Sequence, residues 1–262
     1  MGMHPIRFDD GDAYERLMGI WSGMVGQVFL DWLSPASGQR WADIGCGTGA
    51  FTELILRRCA PAKVHGIDPS DGQLAYARAR PGAQDAVFQQ GNALELPYAD
   101  ASFDVAVMAL VIHFVTDPAK SVAEMTRVVR PGGWVASYVW DDSLGCSPTQ
   151  PLQTAIVLEG GDDVTPPSSW VTSMDSLRGI WSQAGLRDIE SRVVKVQRTF
   201  DDFESLWTAT SGSGRPKVSL ASLDPEATER VKARVRAALP PDAAGRITYA
   251  AQANAVRGRV PG

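Results

Sequence analysis

Cysteine is scarce in this 262-residue chain: Cys46, Cys59 and Cys146 are odd in number and none belongs to a Cys-x-x-Cys pair. That excludes a disulfide scaffold and a cysteine zinc site, and it fits a reducing compartment. Long apolar runs are lacking as well. The longest, Val105–Ile112, is far too short to cross a bilayer. The opening Met1-Gly2-Met3-His4-Pro5-Ile6 has no signal-peptide core, and Ile6 stands where a myristoylation motif requires Ser or Thr. Positive charge is not in excess: 25 Lys+Arg against 30 Asp+Glu leave a formal charge of -5, which argues against a whole-domain footprint for nucleic acid. No Gly-Lys pair, His-Glu-x-x-His or Gly-x-Ser-x-Gly occurs, which sets aside a Walker A loop, a zinc protease helix and a nucleophile elbow. These absences predict a soluble cytoplasmic protein with no nucleic-acid partner, no membrane partner and no metal.

What is present suits an ordinary globular chain, with 44% hydrophobic and 21% charged residues. Charge is uneven, net -9 through residue 185 and net +4 beyond it. Gly145–Ser169 and Ser211–Pro216 read as loops. Between Arg40 and Val139, short β-prone runs alternate with helical patterns, the signature of a parallel sheet between helix layers. The expected strands are Arg40–Ile44, Lys63–Ile67, Ala86–Gln89, Phe103–Met108 and Trp134–Val139. Asp117-Pro118 caps the clearest helix, Val122, Met125 and Val129 line one face of it, and Pro131-Gly132-Gly133 stops it. Further on, the pattern predicts a helix over Met174–Ala184, a strand-rich stretch over Leu186–Thr199, helices over Phe203–Thr210 and from Asp224-Pro225 to Leu239, and a last strand over Arg246–Val256. Arg230, Lys232, Arg234 and Arg236 recur every two residues, which scatters them around a solvated helix.

The densest signal is Asp43-Ile44-Gly45-Cys46-Gly47-Thr48-Gly49-Ala50, a glycine turn between the first strand and a helix. Read as Gly45-x-Gly47-x-x-Ala50, with Asp68 at the end of the second strand, it fits a dinucleotide fingerprint, the acid holding a ribose. Asp43, just before the turn, would repel a pyrophosphate and favour a cation. S-adenosyl-L-methionine is cationic, carries no phosphate and keeps a ribose.

Five segments in this order resemble the class I S-adenosylmethionine-dependent methyltransferases, most closely the type 11 group that includes quinone-biosynthesis enzymes. They are Trp41–Gly49, Gly66-Ile-Asp-Pro-Ser70, Gly91–Pro97, Ser102-Phe-Asp-Val105 and Val128–Trp134, about 100 residues in all. Ala13–Ser22 also looks like the lead-in helix of some members. The resemblance implies a Rossmann-like, doubly wound α/β fold with a seven-stranded sheet whose last strand is antiparallel. One domain then covers residues 1–262: an N-terminal helical lid (1–37), a cofactor-binding core (38–199), a lid insertion (200–245) and a last strand with tail (246–262).

It further implies that Gly45, Cys46, Gly47 and Gly49 present backbone to the methionine part of the cofactor, with Asp43 facing its ammonium and Asp68, Pro69 and Ser70 at the ribose. Gln73, Asn92 and Ala93 belong near the adenine, Asn92 standing where an acid is usual, and Ala109 and Leu110 at the end of the fourth strand. The product would be S-adenosyl-L-homocysteine and the acceptor a small molecule, methylated on O, N or C. His113 is the candidate base; Tyr14, Trp21 and Trp140 are candidates for the acceptor site. Asp141 and Asp142 would bind a cationic substrate or begin a solvated loop. The expected protein is a monomer or homodimer. A nicotinamide-dependent oxidoreductase and a catalytically silent cofactor-binding module remain as alternatives.

Overall fold

A computed structural model describes residues 18–212 and 214–262. The helices are α1 (Ile20–Leu33), α2 (Ala50–Cys59), α3 (Asp71–Ala79), α4 (Pro118–Val128), α5 (Gln150–Leu158), α6 (Met174–Gln183), α7 (Phe203–Ser211), α8 (Gly214–Leu220) and α9 (Pro225–Ala238). The strands are β1 (Arg40–Ile44), β2 (Lys63–Asp68), β3 (Ala86–Gln90), β4 (Phe103–Ala109), β5 (Val129–Trp140), β6 (Arg187–Phe200) and β7 (Ile247–Arg259). They form one seven-stranded sheet in the order β3-β2-β1-β4-β5-β7-β6. β1 to β5 pair in parallel, and β7 inserts antiparallel between β5 and β6. The strand order reverses at β1, so the crevice beyond the carboxyl ends of β1 and β4 is the expected ligand position.

The central strands are short and apolar because both faces are covered. Trp41, Val105, Val107, Ala136 and Tyr138 face one layer, where α1 and α2 pack. Ala42, Ile44, Ala106, Met108 and Val135 face the other, where α4 and α6 pack. The expected caps form. Asp117 accepts from the Lys120 amide at 3.0 Å and Asp224 from the Ala227 amide at 2.7 Å, each with a proline in the first turn. Replacing Asp117 with alanine should lower stability by about 1 kcal/mol, read as a small drop in melting temperature with cofactor affinity unchanged.

Several boundaries differ from the sequence pattern. Helix α4 ends at Val128, and Pro131-Gly132-Gly133 lies within β5, where the register slips between Phe103 and Val105. A proline is tolerated there because the ladder is already interrupted. The stretch expected as a loop over Gly145–Ser169 contains α5, whose Leu152, Ala155 and Ile156 are buried. Flanking Gly, Pro and Thr conceal a helix that α8 and α9 stabilise by packing. Ser211–Pro216 is likewise mostly helix, with Pro216 inside α8. β7 runs three residues beyond the expected Val256, to Arg259, because β5 and β6 both pair with it.

α7, α8 and α9 pack on β6 and α5. The basic residues of α9 are paired with acids: Arg230 and Arg234 with Glu159, Lys232 with Glu229 and Arg236 with Glu204. No helix among the described residues is long and apolar enough to cross a membrane.

Candidate functional site

The glycine turn leaves β1 at the switch point and folds back on the end of β2. The amides of Gly45 and Cys46 both donate to the Ile67 carbonyl, at 2.7 and 3.0 Å, and the Gly49 amide donates to the Cys46 carbonyl at 2.9 Å. The Gly47 amide donates to Asp68 Oδ2 at 3.0 Å, and the Ser70 amide to Oδ1 of the same carboxylate at 2.9 Å. These amides are therefore engaged inside the protein. A phosphate-cradling turn needs its amides free for the ligand.

Behind the turn lies Asp43, fully buried. Its Oδ2 accepts from Thr52 Oγ1 at 2.6 Å, while Oδ1 has no hydrogen-bond partner. Burial pushes its pKa up to about 7; the Thr52 hydroxyl opposes the shift and the nearby Asp68 charge adds to it. A carboxylate so placed is uncompensated when ionised, and a cation beside it would restore the balance. The Asp68 carboxyl is also raised by burial, against which its two amide donors act. Burial and the charges of Asp43 and Asp68 push the neighbouring Cys46 thiol upward too, so it remains protonated at neutral pH.

Around these groups opens a cleft of about 560 Å³, a volume suited to a nucleoside-sized ligand. Asp43, Gly45, Cys46 and Gly47 form one end of its wall, and Asp68, Pro69, Ser70 and Gln73 follow from β2 into α3. Asn92 and Ala93 close the far end, and Ala109 and Leu110 line it from β4. Twelve of the expected positions are thus brought together. Leu110 adopts φ +62°, a left-handed conformation that a branched side chain rarely takes, and its amide donates to the Tyr138 carbonyl at 2.8 Å. Asn92 Oδ1 accepts from the Leu94 amide at 2.9 Å, forming a local turn, and the side chain is exposed.

Other expected positions fall elsewhere. Gly49 is the N-cap of α2 rather than part of the wall. Trp21 and Trp140 are buried in the core at 0% and 5% exposure, their rings edge-to-face at 6.4 Å, and neither lines the cleft. Alternation along β5 puts Trp140 on the same face as Tyr138, under α1, and the first turn of α1 carries Trp21 into that layer. His113 is buried beside the wall but outside it; Phe114, Val115 and Thr116 take the wall positions. Burial and the Arg215 charge lower its pKa to about 3, which keeps the imidazole neutral and makes it a poor proton acceptor. Tyr14 lies outside the described residues. From the segment expected as a lid, Gly19 and Ser22 reach the cleft, and among the described residues none of 200–245 lines it.

Sequence reasoning missed Phe51, Val111 and Tyr138, which complete the apolar wall, and Arg80, which buttresses the turn. Arg80 Nε donates to the Thr48 carbonyl and Nη1 to Glu53 Oε2, both at 2.9 Å. Nothing local in the sequence marks Arg80, since its partners lie 27 and 32 residues away. Asp141 and Asp142 open an exposed turn at Ser143–Gly145 but are themselves shielded and paired within the protein. Asp141 is buried and caps the turn at Leu144, and Asp142 pairs with Arg215 at 3.1 Å.

Comparison with known proteins covers the same region. Residues 42–137 match a family described as "Methyltransferase domain". The ubiquinone/menaquinone biosynthesis C-methyltransferase UbiE of Dinoroseobacter shibae is 30% identical over 218 residues, 80% of this chain and 81% of that protein. The O-methyltransferase cnsE of Penicillium expansum is 30% identical over 206 residues, 75% of this chain and 71% of that one. Among solved structures, phosphoethanolamine N-methyltransferase 2 of Haemonchus contortus, in complex with S-adenosyl-L-methionine, superposes with a TM-score of 0.58 at 20% identity. That superposition covers 95% of this chain and 56% of the other.

Proposed function

Since the chain belongs to the class I S-adenosyl-L-methionine-dependent methyltransferases of the type 11 group, we propose that the cleft over β1, β2 and β4 holds that cofactor and that the protein methylates a small-molecule acceptor. The observation that carries this reading is the pairing of engaged turn amides with the unpartnered Oδ1 of buried Asp43. Such a site is poor for a diphosphate and good for an ammonium. It disfavours the nicotinamide alternative.

The residues fit the group. Asp43 and the turn would hold the methionine ammonium, directly or through water. Asp68 keeps lone pairs for two ribose hydroxyls beyond those taken by Gly47 and Ser70. Pro69, Ser70 and Gln73 would follow the ribose and ring edge. Asn92, engaged with Leu94, still has its amide nitrogen and a second lone pair for the adenine. When bound, the cofactor supplies an electrophilic methyl group; the protein's part is alignment of nucleophile, carbon and sulfur, together with exclusion of water. Alignment contributes up to about 7 to 11 kcal/mol. Apolar Phe51, Leu110, Val111, Phe114 and Tyr138 exclude water from the wall.

The relatives methylate at carbon and at oxygen by name, so the accepting atom here is a matter for assay. The free thiols of Cys46, Cys59 and Cys146 support a cytoplasmic location. Calorimetric titration should show S-adenosyl-L-methionine binding and no NAD binding. Mass spectrometry of a metabolite extract incubated with the protein and cofactor should then show a product heavier by one methylene. Tight cofactor binding with no product from any extract would favour the silent module.

A pH dependence follows from Asp43. A cation binds its ionised form, so affinity should rise with pH up to about 7 and then level off, and below pH 7 binding should release a proton. Asp68, Cys46 and Thr52 face the same carboxyl; burial raises the Asp68 carboxyl as well and keeps Cys46 protonated, so substitution at Asp43 assigns the profile. Calorimetry in buffers of different ionisation enthalpy measures the proton, and Asp43→Asn should abolish its release.

A further inference from the structure

The glycine turn is tied to the protein by two elements. From β2, the Ile67 carbonyl and the Asp68 carboxylate take the amides of Gly45, Cys46 and Gly47. From the end of α3, Arg80 takes the other half of the turn. Its Nε donates to the Thr48 carbonyl at 2.9 Å and its Nη2 to Thr48 Oγ1 at 3.4 Å. Nη1 donates to Oε2 of Glu53, in the first turn of α2, at 2.9 Å. One guanidinium thus joins the end of α3, the glycine turn and the start of α2. The planar fork of an arginine serves these directions together, which the compact ammonium of a lysine does not. Packing around it is close: a Cβ on Gly49 would stand 3.1 Å from Ala77 Cβ of α3, and one on Gly82 would stand 2.3 Å from Glu53 Oε1.

The bond to Thr48 has a particular effect on the backbone. The Thr48–Gly49 peptide is held at both ends, its carbonyl by Arg80 and its N–H by the Cys46 carbonyl at 2.9 Å. Gly49 sits at φ +78°, and a residue without a Cβ leaves that conformation at little cost, so the peptide plane is free to rotate once one end is released. Rotation would break the bond to Cys46 and displace Gly47 and Thr48, which both line the cleft. Arg80 itself is not part of the wall.

Resting on the cofactor reading above, we propose that Arg80 is a positioning residue for S-adenosyl-L-methionine: by holding the Thr48 carbonyl it locks the Thr48–Gly49 peptide and keeps the turn in the shape that receives the methionine part. It touches no atom of the cofactor. Donor and product share the amino-acid and ribose parts, so both depend on Arg80 alike.

Calorimetry with S-adenosyl-L-homocysteine on the full chain tests this. Arg80→Ala should weaken binding at least tenfold, and Arg80→Lys, which keeps the charge and loses the fork, at least fivefold. Millimolar guanidinium chloride should restore most of the affinity of the alanine variant, and sodium chloride at the same concentration should not. Glu53→Gln weakens the ion pair and leaves the bonds to Thr48, so its affinity should stay within threefold of the unaltered protein. A role confined to stability would show no such difference between the two partners of Arg80. Coupling is reciprocal, which gives a readout that needs no variant to fold. In the unaltered protein, saturating S-adenosyl-L-homocysteine should slow hydrogen exchange at the Gly49 amide and at Arg80 Nε, and leave the Ala227 amide of α9 unchanged. Unchanged affinity in both arginine variants, a guanidinium effect no larger than that of sodium chloride, a loss in Glu53→Gln equal to that in Arg80→Ala, or unslowed exchange at Gly49 overturns the proposal. Failure of S-adenosyl-L-homocysteine to bind the unaltered protein overturns the cofactor reading instead.

Discussion

Replacing Asp68 with alanine should weaken S-adenosyl-L-methionine binding at least tenfold, as read by calorimetry. One carboxylate at this position does two things. It would accept from two ribose hydroxyls, and it ties the glycine turn to the end of β2 through the Gly47 and Ser70 amides at 3.0 and 2.9 Å. Charge-assisted bonds contribute roughly 1.5–3 kcal/mol each, so losing even one exceeds the ~1.4 kcal/mol that corresponds to tenfold. Asp68→Asn keeps the size and one acceptor and should fall between the two. Melting temperature reads the structural role: both amide ties go with the carboxylate, so alanine should lower stability as well as affinity, and the asparagine variant less of each. Affinity within twofold of the unaltered protein would remove Asp68 from the cofactor site.

Gly45→Ala should damage both the fold and the site. Gly45 sits at φ +73°, and an added Cβ would stand 2.4 and 2.6 Å from the two terminal methyls of Val111. The left-handed conformation costs a non-glycine residue about 1 kcal/mol, and forcing a methyl into a filled space costs roughly 1–3 kcal/mol. Together they predict a loss of about 2–4 kcal/mol, a fall on the order of 5–15 °C for a chain of this size. Cofactor binding should weaken as well, because Gly45 and Val111 are both in the wall. Adding Val111→Ala should recover part of the loss by opening space, but not the conformational part. A melting temperature within a degree of the unaltered protein would mean that the turn has another shape.

The parts of the fold legible in the sequence are those set by short-range chemistry. Asp117-Pro118 and Asp224-Pro225 cap their helices by bonds to amides three residues on. The alternation of apolar runs with helical patterns placed β1 to β4 within a residue or two. Asp43, the glycine turn and Asp68 are likewise one short segment of chain apart, and twelve of the positions it suggested meet in one cleft.

Positions that depended on distant neighbours were not legible. Helix α5 is buried against α8 and α9, which lie some 60 residues later, so its own composition reads as loop. The tryptophans chosen as acceptor contacts sit in the core, because the pleat of β5 and the seat of α1 decide which way an aromatic ring faces. Sequence by itself determined the sheet class, the N-terminal helix caps and the glycine turn with its two acids, all products of backbone preference and periodicity. Only the tertiary structure decided that the turn amides close on Ile67 and Asp68, that Asp43 is left with an unpaired oxygen, and that Arg215 reaches Asp142 across 73 residues. Hydrogen-bond satisfaction and charge balance are properties of the packed interior, where groups remote in sequence become one another's solvent.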